Sequence, residues 1–356
     1  MDGPLPKSNA LIVGVGARTS TGVTALQVAL AVRAGKLMPR ESHLVDRGGD
    51  PIGTCRLGSM ADNVMGLERF VELGAPAFVQ ATHAWRVAQK ARGTTEPLAV
   101  VLALPPESRP GFDRRLKSDL LGVLAERAQV EIDERRSTLV TKGRGGGAMA
   151  VATALEMLRE GRRAVVVGGI DSYFDPDVLE YLDRELRLHS ASCENGFIPG
   201  EGAGFLLLAG RSNTTSMHRW GQILAAENQM EPRPYGHPDP CLALAMTLAL
   251  KNVVAPIGAS SKRVRWLLTD VVNERHRVEE WTISRIRASR AIHDDAIHDQ
   301  PLLRTGDLGA ASTAILLVMA CIGWHTGYAP GDCALVATHS DGSERGVVLA
   351  AKEEPS

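Results

Sequence analysis

The chain has 356 residues, 44% of them hydrophobic, and its 40 basic and 41 acidic residues leave a formal net charge of −1. That is ample apolar material for one large or two modest domains. The even balance excludes the basic excess or stripe that nucleic acid or an anionic membrane requires. Five scattered cysteines (Cys55, Cys193, Cys241, Cys321, Cys333) show neither metal spacing nor a disulfide framework, which fits free thiols in a reducing compartment. Met1-Asp2-Gly3-Pro4 lacks the pattern of a signal peptide, and the longest apolar run, about 310–321, falls short of the roughly 20 residues of a membrane span. A cytoplasmic protein is expected.

Residues 9–15 (NALIVGV) read as a buried first strand, and 20–34, opened by Ser and Thr and apolar at helical spacing, as the helix after it. Gly14-Val15-Gly16-Ala17-Arg18 resembles a fragment of a dinucleotide fingerprint. It lacks the third glycine and the acidic partner after a second strand, so no nucleotide site is assigned. Residues 38–60 are polar and irregular and predict a surface loop or small hairpin. A helix is predicted over 67–92 with Trp85 packing inward, then a buried strand over 97–104 (PLAVVLAL) stopped by Pro105-Pro106, then a helix over 113–129 and a strand ending at Val140.

Residues 141–169, TKGRGGGAMAVATALEMLREGRRAVVVGG, organise the rest. Lys142-Gly143-Arg144-Gly145-Gly146-Gly147 is too glycine-rich for a helix interior, whereas 148–160 is a good helix former ending at Gly161. A tight turn therefore presents Arg144 at the positive end of a helix dipole, where enzymes often hold a nucleophile. Arginine cannot be one. Ala164-Val165-Val166-Val167-Gly168-Gly169 reads as a strand covered on both faces. From composition and pattern alone, the fold class is α/β with buried parallel strands.

An acidic helix at 176–187 precedes Ser192-Cys193-Glu194-Asn195 and then GFIPGEGAGFLLL (196–208). A glycine-rich turn before a small-residue helix, then VVVGG, then GFIPGEGAGFLLL at this distance, resembles the beta-ketoacyl synthases of the thiolase superfamily. WLLTDVVNERHRVEEW (266–281) is similar to the strand and loop carrying that family's first active-site histidine, and RTGDLGAASTAILL (304–317) to the turn and helix carrying its second. The resemblance implies a thiolase-like layered αβαβα fold of two similar halves, here 1–210 and 211–356. It also implies a homodimer or close heterodimer with the nucleophile turn near the interface.

Where this chain departs from the family's pattern, it does so at the chemical positions. Arg144 stands where the family's acyl-accepting cysteine stands. Arg275, with His276 beside it, aligns with the first histidine, and Asp307 with the second. The lysine before the second histidine is replaced near Leu302, and the glycine-rich loop near the C-terminus by His339-Ser340-Asp341-Gly342-Ser343. An acid in place of a hydrogen-bond donor repels a developing enolate. No catalytic residue of the family's kind is therefore expected, and Arg144, Arg275 and Asp307 are expected to form a buried ionic triad in the old active site.

Other chemistry-bearing residues are few. Cys193, paired with His189, His276 or His339, is the one candidate for a relocated nucleophile. His293-Asp294-Asp295-Ala296-Ile297-His298-Asp299 fits no standard zinc pattern and predicts a solvated turn, so neither a metal nor a cofactor is expected. The proline-rich stretch 227–239 and the basic run 262–265 predict surface, and Trp220, Trp266, Trp281 and Trp324 mostly core. Three functions compete. The first is a dimeric adaptor without condensing activity, of the kind found beside type VI secretion effectors, where a chaperone or loading role is supposed and the effector is the partner. The second is a chain-length-factor-like partner of an active ketosynthase, and the third an acyltransferase using Cys193.

Overall fold

The computed structural model describes residues 5–190, 193–214, 217–258, 261 and 263–353. In chain order the elements are β1 (Ala10–Thr19), α1 (Ala25–Arg33), β2 (Arg40–Val45), β3 (Pro51–Thr54), α2 (Gly66–Arg92), β4 (Ala99–Ala103), α3 (Arg115–Ser118), α4 (Leu120–Ala128), β5 (Thr138–Val140), α5 (Gly146–Arg159), β6 (Ala164–Ser172), α6 (Pro176–Arg184), β7 (Glu201–Gly210), β8 (Gly221–Met230), α7 (Leu244–Val253), β9 (Val264–Thr269), α8 (Arg275–Arg287), β10 (Ile292–Asp299), α9 (Leu302–Thr305), α10 (Ser312–Thr326), β11 (Cys333–His339) and β12 (Glu344–Ala351). β2 and β3 form the small hairpin expected over 38–60.

The other ten strands make one mixed sheet in the order β10-β9-β11-β12-β8-β1-β7-β6-β4-β5. Read outward from its centre, the order is the same twice. In β1-β7-β6-β4-β5 the first two junctions are antiparallel and the last two parallel, and β8-β12-β11-β9-β10 repeats that alternation. Two antiparallel pairs, Leu11 with Gln222 and Ile12 with Gly221, join the runs.

Strand periodicity sorts the side chains into layers. Ile12, Val101, Val165, Val167, Leu206, Leu208, Val336 and Val348 share a central core with α5 and α10. Leu11, Val13, Val100, Leu102, Val166, Phe205 and Leu207 face α2 and α4 in a second core. Leu335, Ala337, Val347 and Leu349 face α7 and α8 in a third. The layers thus run helix, sheet, helix, sheet, helix. The run 309–326 is 18 residues long and apolar enough to cross a membrane, but it is 89% buried inside the protein and serves as the central layer.

Gly14 and Gly16 lie inside β1, away from any strand-to-helix turn. A Cβ on either would stand 1.8 and 1.9 Å from the carbonyl oxygens of Ala81 and Ala77, so both glycines let α2 press onto the strand. The fingerprint fragment is thus a packing feature. Two expectations need correction. The helix predicted over 113–129 breaks at Asp119 into α3 and α4. The predicted turn at 293–299 is the edge strand β10, which spreads its polar residues over both faces: His293 meets Arg265 (2.7 Å) and His298 meets Thr269 Oγ1 (2.8 Å).

Candidate functional site

A short turn, Gly143–Gly145, precedes α5, and its middle residue Arg144 is 3% exposed. A cation before a helix N-terminus meets the wrong end of the dipole, so it needs acceptors, and it has them. Nε donates to His339 O (2.7 Å), Nη1 to Tyr173 Oη (2.9 Å) and Asp307 Oδ2 (3.2 Å), and Nη2 to Asp341 Oδ1. Burial opposes the charge, yet Asp341, Asp307 and Asp270 hold the guanidinium pKa well above its ordinary value. The side chain is a fixed cation without nucleophilic lone pairs.

Asp307 precedes α10, where a carboxylate suits the dipole. Its Oδ1 accepts from Gly309 N (2.8 Å), while its Oδ2 also takes a 2.6 Å bond from Arg277 Nη2. Arg277 in turn pairs with Glu274 (2.6 Å). Arg187 Nε donates to the other oxygen of Glu274 (2.6 Å) and its Nη1 to Asp341 Oδ2 (2.9 Å). Asp270 accepts from His339 N (2.7 Å) and meets His339 Nδ1 (2.8 Å). Arg144, Arg187 and Arg277 thus join Asp270, Glu274, Asp307 and Asp341 in one continuous network drawn from distant segments of the chain. Most of it is buried, with Asp341 at its solvent edge. Burial would raise the carboxyls, but Arg144 and Arg187 hold Asp341 well below the usual range. His339 and the arginines hold Asp270 below it, and Arg277 and Arg187 do the same for Glu274.

Arg144 and Asp307 therefore meet as the triad expectation requires, and Arg275 does not. Its side chain is 78% exposed and pairs with Glu279 (2.6 Å). The third member is Arg277. The physical reason is that 275 opens helix α8, whose inward stripe falls on Arg277, Glu280, Trp281 and Ser284. A count along an assumed loop stops two residues short of it. His276 stacks on Tyr235 (4.5 Å), and burial lowers its pKa to about 4, so it is neutral near pH 7. Arg187, Asp270, Glu274 and Arg277 do not stand out in the sequence. The spacing Glu274-x-x-Arg277 ahead of Glu280 and Trp281 is the one available signal.

Cys193 is half-buried with Sγ 3.0 Å from Leu186 O. Of its three possible histidines, His339 is engaged by Asp270, His276 stacks on Tyr235, and His189 is exposed. Ser192, just before it, lies outside the described residues, as does Lys262 of the basic run. Cys55 is fully buried, and burial pushes its thiol up to about 12. Glu201 of GEGAG has its oxygens taken by Arg69 (2.5 and 2.9 Å), Leu57 N (2.8 Å) and Ser172 Oγ (2.8 Å), which makes it a clamp between β7, α2 and β6. Among the described residues the only group with metal-ligand proximity is Glu231, Cys241 and Glu280, remote in sequence from 293–299.

Beside the ionic network opens a cleft of about 610 Å³. Pro106, Val178, Tyr181 and Leu182 give it an apolar wall, and Lys142, Arg144, Arg187 and Asp341 a charged floor. Thr141 and Lys142, which line it, directly follow β5, the edge strand at one end of the sheet.

Residues 138–214 match the model of the beta-ketoacyl synthase N-terminal domain. No curated protein sequence matches the chain. Among solved structures, an oxazolomycin ketosynthase domain from Streptomyces albus superposes with a TM-score of 0.76 at 14% identity, covering 98% of this chain and 76% of that one. A chain of the ishigamide ketosynthase/chain length factor gives 0.70 at 19%, covering 98% and 100%. A type II polyketide synthase ketosynthase, solved with its acyl-carrier protein and bound to the hexaketide, gives 0.79 at 14%, covering 97% and 99%. The family model thus matches the segment that holds Arg144 and α5, and the whole chain shares the fold of the ketosynthase structures.

Proposed function

We propose that the protein is a ketosynthase-fold subunit that does not condense acyl groups and instead works as the partner of an active ketosynthase. The observation that carries this is Arg144, held by four acceptors at the position where the resemblance places the acyl-accepting cysteine. A fixed guanidinium accepts no acyl group, and Asp307 supplies negative charge where condensation needs a donor. Two further features support a partner. The strand order repeats in the manner of two halves, 1–210 and 211–356, and the cleft lies beside the open edge of β5, so a chain pairing there would close it. One structural relative is itself described as a ketosynthase/chain length factor.

The test combines two measurements. Intact-mass spectrometry after incubation with acyl-CoA and acyl-carrier-protein thioesters is expected to show no adduct. Affinity purification of the tagged chain from its native host is expected to bring down a ketosynthase with an intact cysteine. A mass increase that disappears in Cys193→Ala overturns the reading in favour of acyl transfer. A secretion effector in place of the ketosynthase restores the adaptor, and a chain that purifies only with itself leaves the homodimer.

A further inference from the structure

Away from this network, the loop between β8 and α7 carries a second group of chemically able side chains. Glu231 follows the last residue of β8 and is 1% exposed, Cys241 lies ten residues on in the proline-rich loop and is half-buried, and Glu280 sits on the inward stripe of α8 at 4%. One oxygen of each glutamate and the Cys241 sulfur lie within 4.8 Å of one another. Among the described residues no cationic side chain pairs with Glu231. Its oxygens accept only from the backbone N–H of Ala245 (3.0 Å) and Arg233 (3.5 Å). Glu280 Oε1 accepts from Arg345 Nε (2.6 Å), and Arg345 is held in turn by the carbonyls of Ser340, Gly342 and Glu344. A buried carboxylate with no counter-charge is strongly unfavourable, and here it stands against a second carboxylate.

The charge balance identifies the occupant. Two carboxylates against one guanidinium leave one negative charge, and the thiol proton that a bound metal displaces leaves a second, so the charge of a single divalent ion is cancelled. Thiolate with carboxylate is a ligand set that zinc accepts and that calcium or magnesium does not. Zinc–sulfur and zinc–oxygen bonds of about 2.3 and 2.1 Å place ligand atoms roughly 3.5 Å apart, a contraction of about an ångström that side-chain torsions supply.

We propose that Glu231, Cys241 and Glu280 bind one zinc ion, with water completing the tetrahedron, and that the ion pins the proline-rich loop to α8. Binding displaces the thiol proton. The displaced proton makes affinity rise with pH.

The test starts from chelator-stripped full-length protein titrated with zinc, and separately with cobalt. One zinc per chain is expected, with a thiolate-to-cobalt charge-transfer band, and an affinity at least ~10-fold lower in Glu231→Gln and in Cys241→Ser. Zinc is also expected to slow alkylation of Cys241, read at the peptide level, while leaving Cys193 unaffected; this readout needs no variant to fold. Absence of zinc binding, equal binding by both variants, or no protection of Cys241 overturns the proposal.

Discussion

The two central helices, α5 and α10, pack against each other in the same layer and begin in opposite ways. α10 starts behind Asp307, with Asp171 accepting from Ala310 N (2.7 Å), so two carboxylates sit at the positive end of its dipole. α5 starts behind Arg144, a cation at the same end. Each start taken alone is a partial arrangement, and the two complete each other through the Arg144–Asp307 contact. The comparison teaches that the two helix starts are coupled. A change at one turn disturbs the charge balance at the other.

The sharpest break is Asp307→Ala, which removes the buried carboxylate that Arg144 and Arg277 share and uncaps the approach to α10. It is expected to cost about 3–5 kcal/mol in urea unfolding. Arg144→Met should cost about as much from the other side, and the Arg144→Met/Asp307→Leu double variant clearly less than the sum. Strict additivity would show that the two turns are independent.

Acid tests the same coupling without mutation. Asp270, Glu274 and Asp341 bind protons more weakly in the folded chain than in the unfolded one. The stability they add is present above their unfolded pKa near 4 and is lost as pH falls through the folded values. His276 and His298, both lowered to about 4 chiefly by burial, weaken the fold earlier, as pH falls from about 6.5 to 4 and the unfolded chain takes up their protons first. Melting temperature should therefore fall in two stages, the first worth roughly 2–4 kcal/mol between pH 7 and pH 4. A flat profile down to pH 4 would show that the histidines are solvated.

A smaller effect is expected at Gly169, where a Cβ would stand 2.2 Å from Ala310 O and push the turn before α10 away from β6. Gly169→Ala should cost about 1–3 kcal/mol and lower the denaturant midpoint. The smallest belongs to Arg275→Ala, whose exposed i,i+4 pair is screened by solvent, so no measurable change in the denaturant midpoint is expected. A large loss there would return Arg275 to the network in place of Arg277.

The layered scaffold is legible in the sequence because it rests on short-range regularities. Unbroken apolar runs such as the one that opens Ala164–Ser172, and small-residue helices such as Gly146–Arg159, carry their burial in local pattern. Arg144 and Asp307 are legible for a different reason, since each interrupts a recognisable motif. The remaining members of the network are hidden because their meaning is set by three-dimensional convergence. Asp341 lies in a hairpin loop between β11 and β12, and Arg187 just beyond α6, 154 residues away. Nothing local distinguishes either from a surface charge. The edge strand β10 escapes because Asp294, Asp295 and Asp299 interrupt the apolar pattern by which a strand is recognised.

The antiparallel pairing of β1 with β7 joins Ala10 to Gly210. During synthesis the first strand therefore leaves the ribosome with its neighbour still to be made. At about 5–20 residues per second, it waits on the order of 10–40 s as an unpaired apolar segment. Its two glycines must also await α2 before their backbone is covered. Newborn chains should thus be most prone to mispairing through β1, and a ribosome-bound chain halted before residue 201 should leave that strand open to protease, whereas one released past residue 210 should shield it.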